Sequence, residues 1–169
     1  LVGNIKKLGL DPLEIDSVFI SHDHWDHTGG LSAILETNQV RVYVPVSFAG
    51  GGDLPGLIRI SESQEIAENI YSTGELKQIE QSLVICLEND EVVVVAGCSH
   101  PGVGEIVRAA SVFGKVTTLV GGLHGFKDFE LIDNLKRICP THCTQYIQEI
   151  ATRYPEKVIS GGAGKVIVL

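Results

Sequence analysis

Three histidines and two carboxylates fall within six consecutive residues, His22-Asp23-His24-Trp25-Asp26-His27, directly after the apolar run Val18-Phe19-Ile20. Neutral imidazole and carboxylate are the nitrogen and oxygen donors that zinc and its neighbours accept. In extended backbone alternate side chains share a face, so His22 and His24 can reach one ion, and Asp26 and His27 on the next bend can face a second. A polar turn whose histidines are adjacent by coincidence would leave that density unexplained. His100, His124 and His142 each sit just after an apolar run, where a strand would end. Open α/β sheets gather their sites at the carboxyl ends of strands. All six histidines can therefore be assigned to one rim. His100 and His142 are expected as ligands, whereas His124 is left between coordination and contact with substrate.

The elements that must present these residues follow from periodicity and punctuation. The chain opens with a short helix over 2–10, and Asp11-Pro12 leads into a buried strand over 17–21 that delivers the histidine cluster. Thr28 is expected to cap a helix over 30–36, and a strand follows at 41–44. The glycine-rich stretch 49–56 lacks the Lys-Ser/Thr ending of a phosphate-cradling loop and reads as a linker or mobile lid. Extended pieces are expected at 58–61 and 65–72. A hairpin turns at Asn89-Asp90 between strands 82–88 and 91–97, and the second strand, Val92-Val93-Val94-Val95-Ala96, is apolar throughout and so is expected to be central. Pro101-Gly102 starts a helix through 113, and a strand at 115–120 delivers His124. Asp128 caps an expected helix through Ile138, residues 141–143 are briefly extended, and a helix at 144–154 precedes a last hairpin of 157–160 with 165–169. Helices alternating with strands argue for a layered α/β domain spanning 1–169.

At 169 residues the chain is long enough for one domain with a real core. The 13 basic and 21 acidic residues give a net charge of −8, which argues against coating nucleic acid and is offset in part by bound cations. No segment approaches the roughly 18 apolar residues that a membrane span requires, and no signal peptide opens the chain, so a cytoplasmic protein without membrane association is expected. The four cysteines lack the paired spacing of a secreted disulfide scaffold and are expected inside as small apolar residues, with Cys98 and Cys143 set apart by their nearness to His100 and His142.

The motif His22-x-His24-x-Asp26-His27, followed by Thr28-Gly29-Gly30-Leu31, resembles the signature of the metallo-β-lactamase superfamily, whose members are mostly two-metal hydrolases. Gly97-Cys98-Ser99-His100-Pro101-Gly102, Gly121-Gly122-Leu123-His124 and Pro140-Thr141-His142-Cys143-Thr144 resemble the later motifs of one branch, which includes an archaeal dihydropterin synthase and bacterial metal-dependent hydrolases. The resemblance runs from about Ile15 to Leu169 and implies αββα layers. It also implies further strands and an Asp-Thr-Gly turn ahead of Leu1, so an amino-terminal portion is expected to be missing. A single-sheet ferredoxin-like packing is the alternative fold.

The ligand layout that the resemblance implies is His22, His24 and His100 on one ion, and Asp26, His27 and His142 on the other. Zinc is expected first, with manganese or iron as alternatives. Where the superfamily has a bridging aspartate, this chain reads Gly121-Gly122-Leu123-His124, so Cys98 or an incoming phosphate could take that place. Asp26 and His124 are the expected catalytic residues, and Asp23 is expected to orient a ligand histidine. Lys127 and Arg137 are expected on solvated faces. The expected activity is hydrolysis of a phosphoester or related ester by activated water. Two alternatives stand beside it: a dihydropterin transfer that releases pyrophosphate, and a metal-binding but catalytically idle protein. A small, phosphate-bearing substrate and a homo-oligomer that covers exposed sheet edges are expected as partners.

Overall fold

The structure, a computed structural model, describes residues 1–50, 52 and 54–168. Gly51 and Asp53 of the glycine-rich stretch, and Leu169 of the expected last hairpin, lie outside the described residues. Two sheets carry the chain. The first is parallel, in the order β1 (Ser17–Phe19), β2 (Arg41–Pro45), β3 (Leu57–Ile60). Its middle strand buries Val42 and Val44 completely, and Leu31 and Ile34 of the short helix α3 (Leu31–Leu35) join them in one core, with Val2 and Ile5 of α1 (Val2–Lys7) packed alongside. Between β1 and α3 lies α2 (Trp25–Thr28), a single turn.

The second sheet has six strands in chain order: β4 (Glu62–Ala67), β5 (Ile70–Gly74), β6 (Leu83–Cys86), β7 (Glu91–Ala96), β8 (Lys115–Gly122) and β9 (Arg137–Thr141). β4 to β7 run antiparallel, whereas β7, β8 and β9 are parallel neighbours. Interior strands bury both faces, which is why β7 is a continuous apolar run, with Val92, Val93 and Val94 at most 1% exposed. Val103, Ile106 and Ala110 of α4 (Val103–Ala110) pack into the same core as Ile132 of α5 (Glu130–Asp133) and Ile150 of α6 (Ile147–Arg153). Two sheets, each carrying its own helices and its own apolar core, give the layered metallo-β-lactamase-like architecture and exclude the single-sheet ferredoxin-like alternative.

Several local expectations are corrected. The helix expected over 128–138 shrinks to α5, and Ile138 lies in strand β9, because Ile138, Cys139 and Pro140 are all buried beside β8 and the sheet overrides the helical spacing. The single extended piece at 65–72 is a hairpin, β4 and β5, turning at Glu68 and Asn69, where Asn69 takes a left-handed φ of 60°. The last hairpin does not form among the described residues; Val158 instead makes an isolated parallel bridge to Ile138. Thr28 caps nothing ahead of it: it is the last residue of α2 and its hydroxyl donates back to the His24 carbonyl.

Replacing the fully buried Ile138 by alanine should cost about 2 to 5 kcal/mol of stability in a urea titration. The same truncation at Val166, 82% exposed, should stay within about 0.5 kcal/mol.

Candidate metal centre

The histidine cluster leaves the parallel sheet where β1 ends. Ile20 N–H still donates to the Tyr43 carbonyl (2.9 Å), and His24 keeps extended backbone (φ −97°, ψ 146°) as the residue before α2. His22 and His24 therefore stay on one side, and the turn of α2 brings Asp26 and His27 round next to them. Cys98, Ser99 and His100 follow β7, His124 follows β8, and His142 follows β9. Because those three strands are parallel neighbours, their loops leave one edge of the sheet together. Ser99, His124 and His142 take left-handed φ values of 62°, 46° and 50°, a sparsely populated conformation for side-chain-bearing residues that clusters at functional loops. Gly121 is required where it stands: its φ is +131°, and a Cβ there would lie 2.0 Å from the Ala96 carbonyl oxygen, so only glycine lets β8 run this close to the end of β7.

The structure brings all six expected metal residues into one cluster. His22 Nε2 lies 3.1 Å from His24 Nδ1, and the His100 ring centroid stands 4.7 Å from both of those rings. His27 Nε2 lies 3.2 Å from His142 Nε2 and 3.6 Å from Asp26 Oδ2, which is itself 3.1 Å from His142 Nε2. The two subsets meet at His22 and His27, whose centroids are 4.1 Å apart. His124 borders the first subset, 4.6 Å from His100 centroid to centroid. Cys98 Sγ, expected as one of two candidates for the place of the superfamily's bridging aspartate, sits 3.2 Å from His27 Nε2. Asp23 does not orient a histidine. Its Oδ2 accepts from Ala49 N–H (2.8 Å) and so ties down the start of the glycine-rich stretch. Lys127 lies with Nζ 4.8 Å from the Tyr146 ring centre, and Arg137 donates to the Val168 carbonyl.

Such a crowd of imidazoles cannot all be charged. Burial, and then the neighbouring His27, His100 and His24 rings, push His22 down to about 3, and burial also lowers His27 and His100. Burial acts upward on Asp26, but its own backbone N–H and the His27 and His142 rings outweigh it and hold the carboxyl below the usual range. His22, His27 and His100 are thus held toward the neutral form beside the Asp26 carboxylate, the protonation state that a cation needs in its ligands. The buried Nε2 of His100 has no hydrogen-bond partner among the described residues, and His27 Nε2 faces a sulfur, a nitrogen and a carboxylate oxygen at once. Both features fit divalent ions.

One residue central to the site carries no signal in the sequence. Glu80, 0% exposed, accepts from Gly97, Cys98 and Ser99 N–H at Oε1 (3.0, 3.0 and 3.1 Å) and from His100 N–H at Oε2 (2.9 Å), and Oε2 lies 4.0 Å from His22 Nδ1. Its neighbour Gln81 joins the sheets: the backbone N–H donates to the Ser21 carbonyl and the side-chain amide to the Ile20 carbonyl, both at 2.9 Å. Glu80 lies outside the named strands, between Leu76, its antiparallel bridge partner, and β6, where neither periodicity nor metal-ligand spacing singles it out.

Glu80→Ala would leave four N–H groups, two buried and two partly buried, without their acceptor; at about 1 to 3 kcal/mol for each buried one, the unfolding free energy in urea should fall by about 2 kcal/mol or more, with Glu80→Gln intermediate. A pH titration of metal-free protein offers a second check. The unfolded histidines bind protons below about 6.5 whereas folded His22 resists until about 3, so stability should be complete above pH 6.5 and fall progressively toward pH 3. A flat profile across that window would remove the neutral-imidazole account.

Residues 2–64 match the sequence profile of the Metallo-beta-lactamase superfamily. The chain is 26% identical to the 7,8-dihydropterin-6-methyl-4-(beta-D-ribofuranosyl)-aminobenzene-5'-phosphate synthase of Methanocaldococcus jannaschii, over 97% of this chain and 79% of that protein. It is 29% identical to a UPF0173 metal-dependent hydrolase of Myxococcus xanthus, over 43% of this chain and 24% of that protein. Among solved structures, Tm1679, described as a metal-dependent hydrolase of the beta-lactamase superfamily, superposes with a TM-score of 0.76 at 24% identity, covering 99% of this chain and 84% of that one. The resemblance carried by the His22 to His27 motif is thus borne out: the chain has the fold of the metallo-β-lactamase superfamily and, across residues 2–64, its sequence signature.

Proposed function

We propose that the chain hydrolyses a phosphoester or related ester of a small, phosphate-bearing molecule, with His22, His24 and His100 holding one divalent ion and Asp26, His27 and His142 a second. The observation that carries the reading is the convergence of these six side chains from three separate loops, with the buried His100 Nε2 among them lacking a hydrogen-bond partner among the described residues. Zinc is the proposed ion, with manganese or iron as alternatives. Bound there, two divalent ions would supply water acidic enough to attack at neutral pH and a clamp on the substrate's oxygens.

The chain's own residues would do the rest. Asp26, ionised and beside His142, accepts a hydrogen bond from the attacking water and fixes its direction. His124, half-buried at the rim, lines a cavity with Ser99, Gly102, Gly125 and Lys127. A substrate phosphate entering there meets the Lys127 ammonium, and His124 is placed to donate a proton to the departing oxygen. Lys127 stays charged, because the Tyr146 hydroxyl beside it raises its pKa. A homo-oligomer is proposed, with β1 an edge strand of the parallel sheet among the described residues. No helix among the described residues is long and apolar enough to cross a membrane, and a cytoplasmic location is proposed.

A second reading, transfer of a dihydropterin with release of pyrophosphate, is favoured by the 26% identity that extends over 97% of the chain to the archaeal synthase. The same centre would then face a leaving diphosphate.

With zinc- or manganese-loaded protein and bis(p-nitrophenyl) phosphate as substrate, His24→Ala should lose bound metal and reduce turnover by more than about 100-fold. A His24→Ala protein with full activity would contradict the mechanism. His124→Ala should keep its metal while kcat falls by about 100-fold or more. Pyrophosphate release from a pterin diphosphate that requires an aryl acceptor, with a bond formed between the pterinyl group and the aryl carbon and without diester cleavage, would select the transfer reading.

A further inference from the structure

We infer that Cys98 is a ligand shared by both ions, a thiolate standing between them, an assignment that rests on the two-ion reading above. Among the described residues, its sulfur is the one donor atom common to both halves of the centre. The donor atoms of His22, Cys98 and His100 lie within 4.8 Å of one another, and so do those of His27, Cys98 and His142. Donors on one tetrahedral ion, at ordinary zinc–nitrogen and zinc–sulfur bond lengths, stand about 3.3 to 3.6 Å apart. The observed 3.2 Å from Cys98 Sγ to His27 Nε2, and 3.2 Å from there to His142 Nε2, approach that spacing.

Cys98 is only 3% exposed, yet its sulfur is not apolar filler, because it faces imidazole nitrogens rather than the side chains of either core. Its backbone is fixed by the same carboxylate that fixes His100, since Cys98 N–H and His100 N–H both bond to Glu80. Cys143, the other sulfur nearby, belongs to neither of those two groups: its donor atom lies within 4.8 Å of those of Cys98 and His124, and its thiol lies 3.9 Å from the Cys98 carbonyl oxygen. A bridging thiolate makes the centre softer than one of imidazole and carboxylate alone. That favours zinc or iron over manganese, which suits oxygen donors.

Cobalt reports on this directly, because a cobalt–thiolate bond gives intense near-ultraviolet charge-transfer absorption that nitrogen and oxygen ligands do not. Metal-free protein titrated with Co(II), with bound cobalt counted by elemental analysis, should show that band at two ions per chain. The band should vanish in Cys98→Ser and persist in Cys143→Ser. At two equivalents the electron paramagnetic resonance signal of the unsubstituted protein should be weakened by coupling across the shared sulfur, and full uncoupled intensity should return in Cys98→Ser. Two bound cobalt ions without the band, loss of the band in Cys143→Ser instead, or an uncoupled signal in the unsubstituted protein would each overturn the bridging assignment while leaving the two-ion centre standing. Failure to bind cobalt at all would overturn the two-ion reading itself. The first measurement uses the unsubstituted protein, so it does not depend on how Cys98→Ser folds.

Discussion

The arrangement depends on a carboxylate sealed away from water. Glu80 gathers four consecutive backbone N–H groups, from Gly97 to His100, onto one side chain at 2.9 to 3.1 Å. A buried carboxylate is costly unless its oxygens are fully engaged, and four backbone donors engage them. The loop after β7 is thereby bent into a cup around Glu80, and Cys98 and His100 have little freedom left. From the same short stretch, Gln81 reaches the carbonyls of Ile20 and Ser21, the residues that lead into the histidine cluster. Two neighbouring polar residues, both 0% exposed, thus fix the loops of two different sheets relative to each other.

That fixed approach explains the electrostatics of the site. Burial, and behind it the neighbouring rings at centroid distances of 4.1 to 4.9 Å, disfavours the protonation of His22, His27 and His100. Three of the donors, His22, His27 and His100, are consequently held toward the neutral form, with a carboxylate, Asp26, at the exposed side. The centre holds this protonation state because the scaffold enforces burial and proximity, and proximity is tolerable because those rings are held toward the neutral form. The close pairing of β7, β8 and β9 serves the same end, as the steric limit at Gly121 shows: a side chain there would push apart the strand ends that carry Cys98 and His124.

Much of this is visible in the chain itself, for physical reasons that differ from residue to residue. The His22 to His27 cluster is legible because few structural roles call for that density of donors, and the Val92 to Ala96 run is legible because a strand buried on both faces must be apolar throughout. The histidines after β7, β8 and β9 are legible as strand-end residues. Ile138 misleads, since its spacing from Leu131 and Leu135 suits a helix while burial beside β8 places it in a strand. Asp23 misleads in another way: its place among the ligands suggests a partner histidine, but its carboxylate reaches the backbone of Ala49. Glu80 is illegible for a deeper reason. Its partners are backbone groups, which are present at every position, so its role exists only once the chain has folded around it.

The central claim, that scattered donors converge here to hold cations, is tested most directly by anomalous X-ray scattering from crystals of zinc-loaded protein, recorded on both sides of the zinc absorption edge. The account predicts two zinc peaks, one among His22, His24 and His100 and one among Asp26, His27 and His142. Zinc-saturated crystals with no anomalous peak inside this cluster would contradict it.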